Sequence, residues 1–509
     1  MTTFDKILKL NRSTVGLAFG AAMLSIIANR SGVGWSWDTS DYVAVGKNFA
    51  KSATLLDATG LPMTVRPPGL SFLIAIGDLI GLSINFTIQI LNSLCAMTLV
   101  LGTNYLLRST KISNKTVLLA TALVAFSPAL LWQYSMIWSE PPFIALVVIA
   151  MIVSMRGMTT HKFFPLTTLF VALFFVRYVG PVFAAAIAIS STWFNRRQMG
   201  LLKSAVSNFA IYVLSLVPVW FWLQRNESID GTLTGARTPA GGSLLSPLRT
   251  FVATIGSWLT ASPVEGSIYL SYNDYPNVTK TLGLLFVIGL AGLLLLRLFE
   301  SYRDKRSSDF CDALVLSLSI SVIYTLFSAY RFVHFELGPL DNRMMIPIYV
   351  PLVVAVAILL DGIKIKAKRL RLASTTFFAL FVAFQAISSI DDALQFGQNG
   401  RYWAAGAFRE QPLHRFINDL PDKTMLMSNQ PQQLYSVWQK TSVFNQYQLE
   451  LAQSAECDSR LFVWYNSTYD DGTPNVEGQP ENAPPVFSDQ SGTIFDLKNC
   501  ASDITYYWP

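Results

Sequence analysis

The chain has 509 residues, 52% hydrophobic and only 14% charged, with a mean hydropathy of +0.40. An ordinary soluble chain is about a quarter charged, so this composition excludes a soluble globular protein and indicates an integral membrane protein. The formal net charge is +6, but the basic residues sit in short clusters between apolar runs, where they set topology, and this argues against nucleic acid as a partner.

At the N-terminus, Lys6, Lys9 and Arg12 precede an apolar run of roughly seventeen residues, which resembles a signal peptide. No small-residue cleavage site follows Asn29, so the run reads as a retained first span. Further along, apolar segments predict spans at 13–29, 84–107, 116–134, 141–156, 163–178, 181–194, 204–223, 280–298, 311–330, 344–361 and 373–390, about eleven in all. The segment 68–82 is apolar but short and glycine-broken, and it reads as a dip into the membrane rather than a span.

Basic clusters test this choice. With the N-terminus inside, Arg108/Lys111/Lys115, Arg156/Lys162, Arg196/Arg197/Lys203, Arg303/Lys305/Arg306 and Lys364–Arg371 all fall on the inner face. Counting 68–82 as a span inverts everything after it. The outer face then holds the loops 30–83, 135–140, around 179, 224–279 and 331–343, with everything after 391. The expected fold is mainly α and polytopic, with a membrane domain over 1–391 and a small extracytoplasmic α/β domain over 392–509. Within loop 224–279, Pro247–Ala261 predicts a surface helix. The C-terminal region predicts strands at Thr424–Met427, Leu461–Trp464 and Thr493–Asp496, a helix over Gln430–Gln439, between the first of these and Ser442-Val443-Phe444, and a loose linker at Asp470–Pro485. Cys95 lies in an apolar run and Cys311 opens one; Cys457 and Cys500 could pair in an oxidising compartment. No Cys/His spacing suggests zinc, and there are only three histidines.

Six charged residues that did not enter the placement of the spans fall at outer ends: Asp38, Asp41, Arg66, Glu140, Arg177 and Arg343. Each also has a structural reading. Asp38 or Ser40 can cap a short helix over Asp41–Lys51, or a carboxylate there can take the proton of an attacking hydroxyl. In Arg66-Pro67-Pro68-Gly69 the prolines make a stiff corner, which either simply enters the membrane or aims Arg66 at an anion. Ser139 can cap the span that Glu140-Pro141-Pro142 opens. Arg177-Tyr178-Val179-Gly180-Pro181 makes a tight helical hairpin with Arg177 at its tip. Asp341 can cap the tenth span, putting Arg343 in a first turn where the helix dipole disfavours a cation. An anion at that helix start resolves the conflict, although an arginine anchor to lipid headgroups is the plainer reading. Pro347 and Pro351 should bend this span.

Taken together, these residues resemble the large membrane glycosyltransferases of the GT-C fold, in the branch containing protein O-mannosyltransferases and the lipid A aminoarabinose transferase. The resemblance rests on Asp38 to Tyr42, Arg66–Gly69, Ser139–Pro141, Arg177, and Arg343 with Pro347, in that order and on one face, over roughly residues 10–390. It implies a polyprenyl-phosphate sugar donor, direct displacement with inversion, and a glycan, lipid or protein acceptor outside the membrane. It also implies Asp38 as the base, Arg343, Arg177 and Arg66 on the donor phosphate, and Asp41, Tyr42, Glu140 and Tyr178 orienting substrates. No cofactor is required by most members, and some relatives bind a divalent cation. The acidic pair Asp-Glu common in the branch is absent, because Thr39 follows Asp38; this leaves open the substrate class and which of Asp38 and Asp41 is the base. Two other function classes make different demands on the sequence. A transporter or flippase of lipid-linked sugars predicts matching halves and charges buried mid-span, neither of which the sequence shows. A non-catalytic scaffold whose outer domain binds envelope glycan is the third class, and turnover retained after deletion of residues 400–509 would count against it.

Overall fold

The computed structural model describes residues 11–110, 112–155, 160–235, 243–261, 272–304, 309–335, 340–361, 368–440, 443–467, 475 and 478–498. Helix occupies each of the predicted apolar segments, as Arg12–Ala28, Ile84–Ser109, Asn114–Ala125 with Pro128–Tyr134, Glu140–Met155, Thr160–Val176, Gly180–Met199, Leu201–Asp230, Asn277–Asp304, Asp309–His334, Asn342–Asp361 and Lys368–Asn399. Among the described residues, six are long and apolar enough to cross a bilayer, and the pair Asn114–Ala125 and Pro128–Tyr134, bent by 42°, makes a seventh. The others are shorter or less apolar. Glu140–Met155 has 16 residues, rising about 24 Å against a hydrocarbon core of about 30 Å. It is walled in by its neighbours, with Phe143, Ile144, Val147, Val148, Ala150 and Met151 buried.

The main core forms where Ile84–Ser109, Glu140–Met155, Gly180–Met199, Asp309–His334 and Tyr349–Asp361 meet. Outer helices carry an exposed apolar face, including Phe209, Val213 and Trp220 on Leu201–Asp230, Leu284, Leu285 and Ile288 on Asn277–Asp304, and Phe377, Leu380 and Ile387 on Lys368–Asn399. Apolar surface on that scale is unfavourable in water at about 25 cal/mol per Å² and fits hydrocarbon.

The predicted surface helix in loop 224–279 is a helix, Leu245–Thr260, but it is not superficial. Thr254, Ile255, Gly256 and Trp258 are buried. It crosses Asn277–Asp304 so closely that a Cβ on Gly256 would meet Thr279 O at 1.8 Å, and one on Gly283 would meet Val252 O at 1.9 Å. Small residues at such a crossing let two backbones touch. The segment 68–82 is helical over Gly69–Leu79, 11 residues packed against the loop helix Trp37–Ser52.

Lys368–Asn399 runs past the expected domain boundary at 391/392, so the C-terminal domain begins beyond it. That domain is a five-stranded sheet in the order β2-β1-β3-β5-β4, with β1 Thr424–Ser428, β2 Val443–Phe444, β3 Ser459–Tyr465, β4 Pro485–Ser488 and β5 Gly492–Asp496. β1 pairs in parallel with β2 and β3, while β5 is antiparallel to β3 and β4. The helix Pro431–Trp438 makes the crossover from β1 to β2. β4 begins at the end of the expected linker, most of which lies outside the described residues. Cys457 is disulfide-bonded; Cys500 lies outside the described residues. Cys95 is a buried free thiol.

Candidate active site

The loop helix Trp37–Ser52 starts with a capping box. Ser36 is the N-cap, and its N–H donates to Thr39 Oγ1 at 3.1 Å. Neither Asp38 nor Ser40 is the cap, because the Ser36–Thr39 pair already satisfies the helix start. Asp38 therefore sits in the first turn with its carboxylate uncommitted to backbone, where the helix dipole favours a negative charge. Asp38 and Asp41 are three residues apart, so they share a helix face. Arg66 comes to that face from the far end of the same loop. Its Nη2 meets Asp38 Oδ1 at 2.5 Å and its Nε the same oxygen at 3.1 Å, while its Nη1 pairs with Asp41 Oδ2.

The corner after Arg66 is fixed by close approach. A Cβ on Gly69 would meet Phe175 O at 2.5 Å, two residues before Arg177. The chain before Arg66 is fixed as well. Tyr178 Oη donates to Thr64 O at 2.6 Å and accepts from Trp222 Nε1 and Asn226 Nδ2, each at 3.0 Å. Tyr178, expected to orient substrate, ties down the backbone that delivers Arg66. Tyr42, also expected to orient substrate, is buried and donates to Ser139 Oγ at 3.2 Å.

Arg343 lies across from Arg66. Its Nη2 pairs with Asp38 Oδ2, its Nε donates to Glu140 Oε1 at 2.9 Å, and its guanidinium lies 4.4 Å from the Trp138 ring centroid. Arg177 Nη1 pairs with the same Glu140 Oε1 and donates to Ser139 Oγ at 3.4 Å. The six predicted charges thus form one chain: Asp41–Arg66–Asp38–Arg343–Glu140–Arg177. With all six ionised, three carboxylates balance three guanidiniums. Glu140 is fully buried, with Oε2 lacking a hydrogen-bond partner, whereas Asp38, Arg177 and Arg343 stay 21%, 15% and 12% exposed. Part of the network therefore remains at the surface.

The start of the Arg343 span differs in one respect from expectation. Asp341 caps it, accepting from Met344 N at 3.1 Å. The helical turn Asn342–Met345 then gives way to a 3₁₀ turn, Ile346–Ile348, which contains Pro347. The cap is therefore taken by the chain itself, and what remains for an anion is the guanidinium of Arg343, not bare helix N–H groups. Trp138 and Ser139 were legible only as motif neighbours; the structure makes Trp138 the platform under Arg343 and Ser139 the hydroxyl shared by Tyr42 and Arg177.

The two aspartates differ in proton affinity. Burial pushes Asp38 up, but Arg343 and Arg66 outweigh it and hold the carboxyl well below the usual range. Burial dominates at Asp41, helped by Asp57 and Asp38 and only partly offset by Arg66 and an amide contact from Ala58, and pushes it up to about 7.

No family model matches the sequence, and no curated protein matches it. Solved structures do. The crystal structure of ArnT from Cupriavidus metallidurans bound to undecaprenyl phosphate superposes with a TM-score of 0.56 at 11% identity, over 95% of this chain and 97% of that one. The Archaeoglobus fulgidus oligosaccharyltransferase tethered to an acceptor peptide gives 0.52 at 15% identity, over 86% and 64%. The S. cerevisiae protein O-mannosyltransferase Pmt1-Pmt2 complex bound to its sugar donor gives 0.50 at 9% identity, over 80% and 93%. All three carry the fold that the sequence motifs resemble. The chain is a polytopic membrane protein of the GT-C fold.

Proposed function

We propose that this protein is a membrane glycosyltransferase that moves a sugar from a polyprenyl-phosphate donor to an acceptor hydroxyl outside the membrane. The observation that carries the reading is the charge network, in which six residues from four separate parts of the chain converge on one partly open face. In ordinary structural use, buried ion pairs of this kind add little stability. In a transferase, they are the parts the reaction needs.

In the proposed reaction, the donor phosphate lies against Arg343 and Arg177, which supply planar N–H donors suited to phosphate oxygens. An acceptor hydroxyl gives its proton to Asp38, and its oxygen attacks the anomeric carbon from the face opposite the phosphate. The carbon–oxygen bond to phosphate breaks, and the electron pair leaves with the lipid phosphate, whose growing charge the two arginines hold. Configuration inverts. Asp38 passes the proton to water through its exposed edge. Before donor arrives, Asp38 is a weak base because Arg66 and Arg343 grip it. A phosphate competing for Arg343 weakens that grip, so donor binding raises the proton affinity of Asp38 when a base is needed. Glu140 keeps the two phosphate-binding arginines together from beneath.

A divalent cation has no natural seat in this arrangement. Arg66 already bridges Asp38 and Asp41, and among the described residues no three His, Cys, Asp or Glu side chains group as ligands. No step is drawn through a metal.

The proposed orientation puts the site and both sides of the 30–83 loop outside and the N-terminus inside. In support, Arg196 and Arg197 end the helix Gly180–Met199 whose start adjoins Arg177, as the positive-inside rule requires. The test is reconstitution with a labelled polyprenyl-phosphate sugar. Release of lipid phosphate with transfer of label to a hydroxyl acceptor supports the reading; leaflet exchange of intact donor without release would make the protein a flippase instead.

A further inference from the structure

The C-terminal domain is tied directly to the helix that carries the two aspartates. Ser40 Oγ donates to Gln432 O at 2.6 Å while accepting from Trp35 Nε1 at 2.8 Å. Lys47 Nζ donates to Gln439 Oε1 at 3.1 Å, and Trp403 N–H donates to Trp35 O at 3.1 Å. The helix Pro431–Trp438 thus lies along Trp37–Ser52, and its Tyr435 enters a buried cluster with Trp35, Tyr42, Val43 and Ala44.

Among the buried polar atoms without a hydrogen-bond partner in this region, besides Gln430 Oε1 and Trp438 Nε1 at the two ends of the helix Pro431–Trp438, are Tyr435 Oη and Asp41 Oδ1. One is a donor and the other an acceptor, and leaving either unpaired in a dry site is unfavourable. They belong to facing helices, since Ser40 and Tyr42, on either side of Asp41, are the residues that meet Gln432 and pack with Tyr435. Asp41 is also the charge that acts most strongly on the Tyr435 hydroxyl.

We propose that Tyr435 is a positioning residue, whose hydroxyl donates to Asp41 Oδ1 through one bridging water, and so makes the C-terminal domain part of the site. The proposal rests on the transferase reading only in calling that site catalytic. The groups that face Asp41 are Arg66 from the corner, Asp57 and the Ala58 amide from the loop, Asp38 from its own helix, and Tyr435 from the C-terminal domain. A hydrogen bond to the ionised carboxylate favours the charged form. Removing it must raise the proton affinity of Asp41 further.

Tyr435→Phe keeps the ring and its packing and removes only the hydroxyl. Infrared titration of the carboxyl bands, with Asp41→Asn to identify the Asp41 signal, reads the effect without any need for turnover. The titration of Asp41 is expected to move up by about one pH unit, a tenfold change in proton affinity. In a sugar-transfer assay the acid limb of the rate profile should move with it, while donor binding is unchanged. An Asp41 titration that stays in place in Tyr435→Phe overturns the proposal, because a tyrosine that only fills space would leave it there. If no sugar is transferred by the unmodified protein, the transferase reading falls, and the infrared result still decides the contact.

Discussion

Glu140→Gln isolates the electrostatic keystone of the network. Gln matches Glu in size, but it removes the charge on which two guanidiniums converge: Arg343 Nε lies 2.9 Å from Oε1, and Arg177 Nη1 pairs with the same atom. Glu140 is fully buried, so water cannot make up the loss. The network passes from neutral to a net positive charge. The two guanidiniums, left facing one another without the carboxylate between them, repel, and breaking a buried pair by removing one partner typically costs about 3–5 kcal/mol. Spread over a chain of this size, that is a fall of several degrees in the melting temperature of the purified protein. The same excess positive charge should tighten binding of a phosphate. Polyprenyl phosphate added to the variant should therefore restore more stability than it adds to the unmodified protein, by mass action on the folded state. Thermal unfolding in detergent, with and without the lipid phosphate, measures both. A variant that melts with the unmodified protein, or gains no more from the lipid than the unmodified protein does, refutes the neutral-network account.

The other predictions are direct. Asp38→Asn should keep donor binding and lose about a hundredfold to ten-thousandfold in rate, the usual range for a lost acid–base group, in paired binding and turnover assays. Arg343→Ala should weaken donor binding and slow turnover together, because a charge-assisted contact worth about 1.5–3 kcal/mol is removed from a phosphate whose charge grows in the transition state. Asp41→Asn should be milder than Asp38→Asn; the reverse order assigns the base to Asp41. Asp41 also predicts a pH effect on stability. Its folded-state proton affinity is raised to about 7, so its contribution is fully present below the unfolded carboxylate range and is lost as pH rises towards 7. Melting temperature should fall between about pH 4 and 7 in the unmodified protein, and fall less in Asp41→Asn.

Much of this was legible because membrane-spanning segments declare themselves by composition, and charges left over at their ends are few. Asp38, Arg66, Glu140, Arg177 and Arg343 stood out for that reason, and the structure joins them in one ion-pair chain. What the sequence hid were contacts between distant segments. Apolar spacing marks Leu245–Thr260 as a helix, but only the Gly256–Gly283 crossing shows that it is buried. Tyr178 sits in a site motif, yet its hydroxyl serves Thr64, because Trp222 and Asn226 arrive from a helix whose path spacing does not reveal. Tyr435 lies almost four hundred residues beyond Asp41 in sequence, and no local pattern links them. Sequence alone does not separate Ser36 from Asp38 or Ser40 as the helix cap, because Ser and Asp both cap well, and the Thr39 side chain decides between them only in three dimensions.

The central claim is that the Asp38–Arg343 network receives a lipid phosphate. A cryo-electron microscopy structure of the purified protein with polyprenyl phosphate tests it most directly. The account predicts phosphate density against Arg343 and Arg177, with the Arg343–Asp38 pair opened and Glu140 still holding both arginines. Phosphate bound elsewhere, with the ion-pair chain from Asp41 to Arg177 intact, would contradict it.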